Sequence, residues 1–118
     1  MQQQRSHLKI SKSDGVCVVE FADRKILEEL CITEIGEELA ALVDRQPGIK
    51  LLLNFSNVEH LSSAALGMLI TLNKRISENG GVLKLSDIHP QIYEVFKITR
   101  LNKVFEIYST AADALRSF

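Results

Sequence analysis

The chain has 118 residues, 46% of them hydrophobic and 25% charged, which is enough apolar material for one domain with its own core. Fourteen Lys and Arg against fifteen Asp and Glu leave a formal net charge of −1, so the basic excess that draws a domain onto nucleic acid or an anionic membrane is missing. No apolar run reaches the ~18–20 residues of a membrane span, and Met1 to His7 lack the apolar segment of a secretory signal, so a cytoplasmic protein is expected.

Residues 1–6 are polar and expected to be disordered, leaving 7–118 as the domain. Leu8 and Ile10 alternate with Lys9 and Ser11, a short strand with one wet face. Asp14-Gly15 is a turn signal directly before the apolar run Val16 to Val19, so the first two strands form a hairpin. Ala22 to Leu30 shows little periodicity and reads as a connection. Ile32, Ile35, Leu39, Leu42 and Val43 follow helical spacing, with Glu34, Glu37, Glu38 and Asp44 opposite and Pro47-Gly48 as the stop.

Ile49 to Phe55 is nearly continuous in apolar residues, the pattern of a strand covered on both faces. Leu66, Leu69, Ile70, Asn73 and Ile76 mark a second helix, closed by Asn79-Gly80-Gly81. Val82, Leu83 and Leu85 make a strand. Pro90 opens a helix carrying Ile92, Val95 and Phe96, and Val104 to Tyr108 is the last strand. Thr110 and Asp113 frame a capped helix holding Ala114, Leu115 and Phe118. The order is β-β-α-β-α-β-α-β-α. It predicts an α/β domain with a mixed β-sheet packed against about four α-helices, joined by parallel crossovers.

Cys17 lies in a strand-like run and reads as a buried small hydrophobe. Cys31 stands near the start of a helix, where a thiolate would be stabilised. His7, His60 and His89 occupy three separate segments, so spacing identifies no metal site, and two unpaired thiols suit the cytosol. Neither a phosphate-binding Gly loop nor a nucleophile elbow is present, and no cofactor is expected. His60 lies three positions before Ser63, but no third group completes a catalytic set. The chain is not expected to be an enzyme.

One segment stands out: His60-Leu61-Ser62-Ser63-Ala64-Ala65-Leu66-Gly67-Met68, joining the buried strand to the second helix. Ser62 or Ser63 is placed to cap that helix. The segment resembles the D-S-S-G-L-G signature of STAS domains, above all the bacterial anti-sigma factor antagonists. The likeness runs over essentially the whole chain from Leu8, and Thr99 to Tyr108 resembles the family's T-G-L-x-x-x-F-x-I-Y ending. Aligning Leu66-Gly67 with the family's Leu-Gly puts Ser63 at the phosphoacceptor, with Ser62 the alternative. Ser62 then stands where the family has Asp, and Ala65 where it has Gly.

The resemblance implies a partner switch. The unphosphorylated form binds an anti-sigma factor that is itself a serine kinase, phosphorylation of Ser63 releases it, and a serine phosphatase resets the cycle. Partner contacts would come from His60, Leu61, Ser62, Ser63 and Met68, and from Asp23, which resembles an acid at the kinase-facing surface of some relatives. No contact with nucleic acid or membrane is implied. Two other readings stay open: a non-switching STAS scaffold subunit of a signalling or transport assembly, and a serine-dependent hydrolase using Ser63 with His60.

Overall fold

A tight hairpin opens the fold. In the computed structural model, which describes residues 7–118, β1 (Leu8–Ser13) turns into β2 (Val16–Phe21) through Asp14 and Gly15. These two residues sit at φ 49° and 82°, the paired positive values that a two-residue hairpin turn requires. The expectation for residues 1–6 lies outside the described residues.

Then follow β3 (Lys25–Ile26), α1 (Glu29–Arg45), β4 (Lys50–Asn54), β5 (His60–Leu61), α2 (Ser63–Glu78), β6 (Val82–Ser86) and α3 (Pro90–Ile98). A 3-10 turn (Leu101–Lys103), β7 (Glu106–Tyr108) and α4 (Ala111–Ser117) complete the chain. Five strands form one sheet in the order β1-β2-β4-β6-β7. Only the β1–β2 pair is antiparallel; β2–β4, β4–β6 and β6–β7 are parallel. The mixed sheet and four helices match the expected architecture.

β4 is the buried centre. Leu51 and Leu53 point into the main core with Ile35, Leu39, Leu69, Ile92 and Phe96, side chains of α1, α2 and α3. Leu52 points the other way, into a smaller core with Val16, Val18 and Ala114 under α4. Leu51, Leu52 and Leu53 are all fully buried, which is why this strand carries no alternation.

Local chemistry ends the helices as the residues predict. Gly80 takes φ 75°, and the Gly81 and Gly80 N–H groups donate to Ile76 and Ser77 carbonyls at 2.9 and 3.1 Å. This crossed pair closes α2. Thr110 Oγ1 accepts the Asp113 N–H at 3.1 Å and starts α4.

Four expectations need correction. Residues 22–30 are more than a connection: they contain β3, which pairs parallel with β5, and the first turn of α1. The strand expected from Val104 begins at Glu106, because Leu101–Lys103 curl into the 3-10 turn. Ile70 and Val95, assigned to buried helix faces, are exposed, while Leu72 fills the inward position. Ile10 is half exposed as well: β1 is the sheet edge and packs chiefly on β2 alone.

Candidate partner-binding site

The segment from Phe55 to Ser63 crosses the carboxyl end of β4 and is braced from two sides. On one side, the Arg24 carbonyl accepts the Glu59 and His60 N–H groups at 2.7 and 3.1 Å, and the Ile26 carbonyl accepts Ser62 N–H at 3.1 Å. Asn57 Nδ2 donates to the Phe21 and Ala22 carbonyls at 3.1 and 3.0 Å. On the other, His89 Nε2 meets the Ser56 carbonyl oxygen at 2.8 Å. A loop satisfied in this way presents its side chains in a set geometry.

At its end the two serines separate into two roles. Ser62 is the N-cap of α2: its backbone is extended, and Ser62 Oγ accepts the Ala65 N–H at 3.1 Å. Ser63 is the first helical residue and is exposed. Its hydroxyl makes no hydrogen bond among the described residues, so it faces solvent at the positive end of a 16-residue helix. Between the alternatives for the cap, the structure selects Ser62.

The other candidates divide. His60 is exposed on β5, and among the described residues its ring bonds to neither serine, so no Ser–His pair is assembled. Leu61 is half-buried beside the core. Met68 is turned largely inward: its Cγ lies 3.1 Å from where a Cβ on Gly36 would stand, so it fills the contact between α1 and α2. Asp23 is held 2.6 Å from His7 Nδ1, an ion pair rather than a free loop carboxylate.

Two exposed leucines were not singled out from sequence. Leu27 follows Ile26 directly, next to the carbonyl that holds Ser62, and Leu30 lies in the first turn of α1. Their signal was available as apolar residues in a stretch lacking periodicity, but only the β3–β5 pairing brings that stretch to the serines.

The STAS domain, as a sequence family, matches residues 11–114. The chain belongs to the STAS-domain family. A candidate anti-sigma factor antagonist of Thermotoga neapolitana is 35% identical over 66 residues. That match covers 56% of this chain and 58% of the relative, less than two thirds of its length. A solved STAS domain protein from Planctomyces limnophilus, described as an anti-sigma-factor antagonist, superimposes with a TM-score of 0.84 at 26% identity, covering 93% and 96% of the two chains. The anti-sigma factor antagonist SpoIIAA in its unphosphorylated form shares the fold at a TM-score of 0.69 and 13% identity, covering 94% of this chain and 99% of its own. In its phosphorylated form the values are 0.67 and 14%, covering 93% and 97%.

This STAS domain has no helix, among the described residues, long and apolar enough to cross a membrane. It does collect a group of titratable side chains that spacing could not reveal. His7 places Nδ1 at Asp23 and Nε2 2.7 Å from Glu34 Oε1, while Cys31 Sγ lies 3.7 Å from Asp23 Oδ2. The hydrogen bond to Glu34 holds the imidazole above its usual value, against the pull of burial and with help from Asp23. Burial first, and then the charge of Asp23, push the Cys31 thiol up to about 11. Cys31 is therefore a protonated thiol at neutral pH, not the helix-start thiolate the sequence allowed.

Proposed function

We propose that this STAS domain is a cytoplasmic anti-sigma factor antagonist that binds an anti-sigma factor kinase when Ser63 is free and releases it when Ser63 is phosphorylated. One observation carries the reading. Ser62 performs the capping, so Ser63 offers an exposed hydroxyl with no hydrogen bond among the described residues, and the motif resemblance assigns that residue to the family's phosphoacceptor. The relatives named as anti-sigma factor antagonists, one of them known in both phosphorylation forms, support it.

In the forward step, Ser63 Oγ attacks the γ-phosphorus of the kinase's ATP, ADP leaves, and the hydroxyl proton passes to a base on the kinase. A phosphatase hydrolyses the ester back to serine and inorganic phosphate. The domain itself supplies no cofactor. Phosphate adds roughly −1.5 to −2 charges. A helix N-terminus accommodates an anion, so α2 stays folded after modification.

The partner surface does not accommodate it. Leu61 precedes the serines and the exposed Leu27 follows the residue whose carbonyl holds Ser62, so a partner seated there is apolar in its contacts, and burying an unpaired charge opposes docking by about 3–5 kcal/mol. Binding becomes release without refolding. Asp23, paired with His7, reaches the partner as a neutralised carboxylate rather than a free charge.

The test pairs modification with affinity. Incubation with the cognate kinase and ATP is expected to place one phosphate on Ser63, seen by mass mapping. Ser63→Ala is expected to bind and resist release; Ser63→Glu is expected to bind more weakly while unfolding at the wild-type midpoint. A phosphate on Ser62 would move the register by one residue. No phosphate from an active kinase would favour a scaffold subunit, and ester hydrolysis lost in Ser63→Ala would favour a hydrolase.

A further inference from the structure

The first turn of α1 sits against the residue ahead of β1 and the turn after β2, and each of the three segments brings one metal-ligand type to the same point. His7 comes from just ahead of β1, Asp23 from the turn after β2, and Cys31 from α1. One donor atom from each lies within 4.8 Å of the other two. Asp23 Oδ2 is the shared vertex, 2.6 Å from His7 Nδ1 and 3.7 Å from Cys31 Sγ.

We propose that His7 Nδ1, Asp23 and Cys31 form a three-ligand site for a divalent transition-metal ion of the Zn2+ class, with Glu34 fixing the His7 ring from behind. The reading is independent of the partner switch.

The donor set selects the metal. Thiol sulfur and imidazole nitrogen beside one carboxylate suit Zn2+, whereas Mg2+ and Ca2+ take oxygen ligands. A tetrahedral Zn2+ with bonds of about 2.0–2.3 Å holds its ligand atoms roughly 3.3–3.6 Å apart. The sulfur–oxygen edge is already at 3.7 Å, and the nitrogen–oxygen edge opens from 2.6 Å by less than an ångström. All three residues are partly exposed, so an ion reaches them from solvent without unfolding.

Hydrogen bonding gives the site its second layer. Both ring nitrogens of His7 face carboxylate oxygens, which only accept. The two carboxylates therefore favour a proton on each ring nitrogen. A cation between Nδ1 and Asp23 takes the place of the Nδ1 proton, while Nε2–H still donates to Glu34. A ligating histidine whose other N–H is held by a carboxylate is the usual support of a zinc site. The metal deprotonates its thiol ligand outright, so binding releases the Cys31 proton, and any proton on His7 Nδ1, to solvent. Three protein ligands leave the fourth position to water.

The test uses the full chain, reduced with a non-chelating phosphine, and adds Zn2+ alone or Co2+ alone. Calorimetry is expected to show one Zn2+ per chain with a rise in Tm. Co2+ is expected to give the near-ultraviolet charge-transfer absorption of a cobalt–thiolate bond. Cys17 is buried within β2, so that absorption reports Cys31. Cys31→Ser is expected to abolish it and to lower Zn2+ affinity about tenfold or more. Glu34→Gln, which leaves every ligand in place, is expected to lower affinity about 10–100-fold. Circular dichroism without metal establishes that each variant is folded. Absence of saturable Zn2+ binding to the folded wild type would overturn the site. So would cobalt absorption that survives in Cys31→Ser, or binding lost in His60→Ala or His89→Ala but kept in Cys31→Ser and Glu34→Gln.

Discussion

Ser62 Oγ accepts the Ala65 N–H at 3.1 Å, and this one bond divides the labour between two adjacent serines. Ser62→Ala removes an N-cap and is expected to lower stability by ~0.5–2 kcal/mol. Ser63→Ala removes an exposed hydroxyl and is expected to change it by no more than ~0.5 kcal/mol. Urea midpoints of the two variants check this. Equal losses would mean that both hydroxyls support α2.

The centre of the sheet makes a second prediction. Leu53 is fully buried between the helices of the main core and its strand neighbours Val19 and Leu85. Leu53→Ala is expected to cost about 2–5 kcal/mol, measured by denaturant unfolding. A loss below ~0.5 kcal/mol would be a surface value and would displace β4 from the centre.

Two glycines predict opposite signs. A Cβ on Gly67 meets nothing within 4 Å, so Gly67→Ala, in mid-helix, is expected to stabilise by roughly 0.5–1 kcal/mol. A Cβ on Gly81 would stand 2.5 Å from the Ile49 carbonyl oxygen, which is backbone and cannot swing away. Gly81→Ala is expected to destabilise by about 1–3 kcal/mol. Thermal midpoints decide both. Gly67→Ala also reports on docking, since a partner seated closely on α2 would bind the stabilised variant less well.

The C-terminal helix is held by a buried lysine, and its attachment depends on pH. Lys84 Nζ donates to Glu106 Oε1 at 2.9 Å, to Ser117 Oγ at 2.9 Å and to the Ser117 carbonyl at 3.2 Å. Burial pulls the ammonium down, but the bonds to Glu106 and Tyr108 outweigh it and hold its value above the ordinary one. The bond to Lys84 lowers Glu106. The Glu106 contribution is therefore complete above the usual carboxylate range and disappears as pH falls through its depressed value. The Lys84 contribution is complete below the usual lysine range and disappears as pH rises through its raised value. Glu106 is mostly exposed, so solvent keeps its share small. Lys84→Met is expected to cost about 1–3 kcal/mol near neutrality, and the gap to wild type is expected to narrow toward about pH 3, where free carboxylates are protonated. A gap independent of pH would remove Glu106 from the anchor.

The sequence by itself determined whatever depends on neighbours a few residues apart. Helical spacing marked Ile32 to Val43, unbroken apolarity marked Leu51 to Leu53, and Asp14-Gly15, Gly80 and Thr110 placed a turn, a stop and a cap. Each rests on local backbone geometry or on the repeat of one element, so no distant partner is needed to read it. The family motif likewise lies in one contiguous run around Ser63.

Only the tertiary structure decided matters that pair distant residues. Lys25 and Ile26 become a strand because His60 and Leu61 lie beside them. Asn57 finds its acceptors thirty-six and thirty-five positions back, at Phe21 and Ala22. The same holds for exposure: Ile70 and Val95 have the right residue type for a core, but no element among the described residues covers them. His7, Asp23 and Cys31 carry no shared spacing, since the residue ahead of the edge strand, a turn and a helix come together from separate segments. Periodicity describes one element at a time, whereas a ligand set or a braced loop is a property of how elements pack, and packing is settled by the whole core.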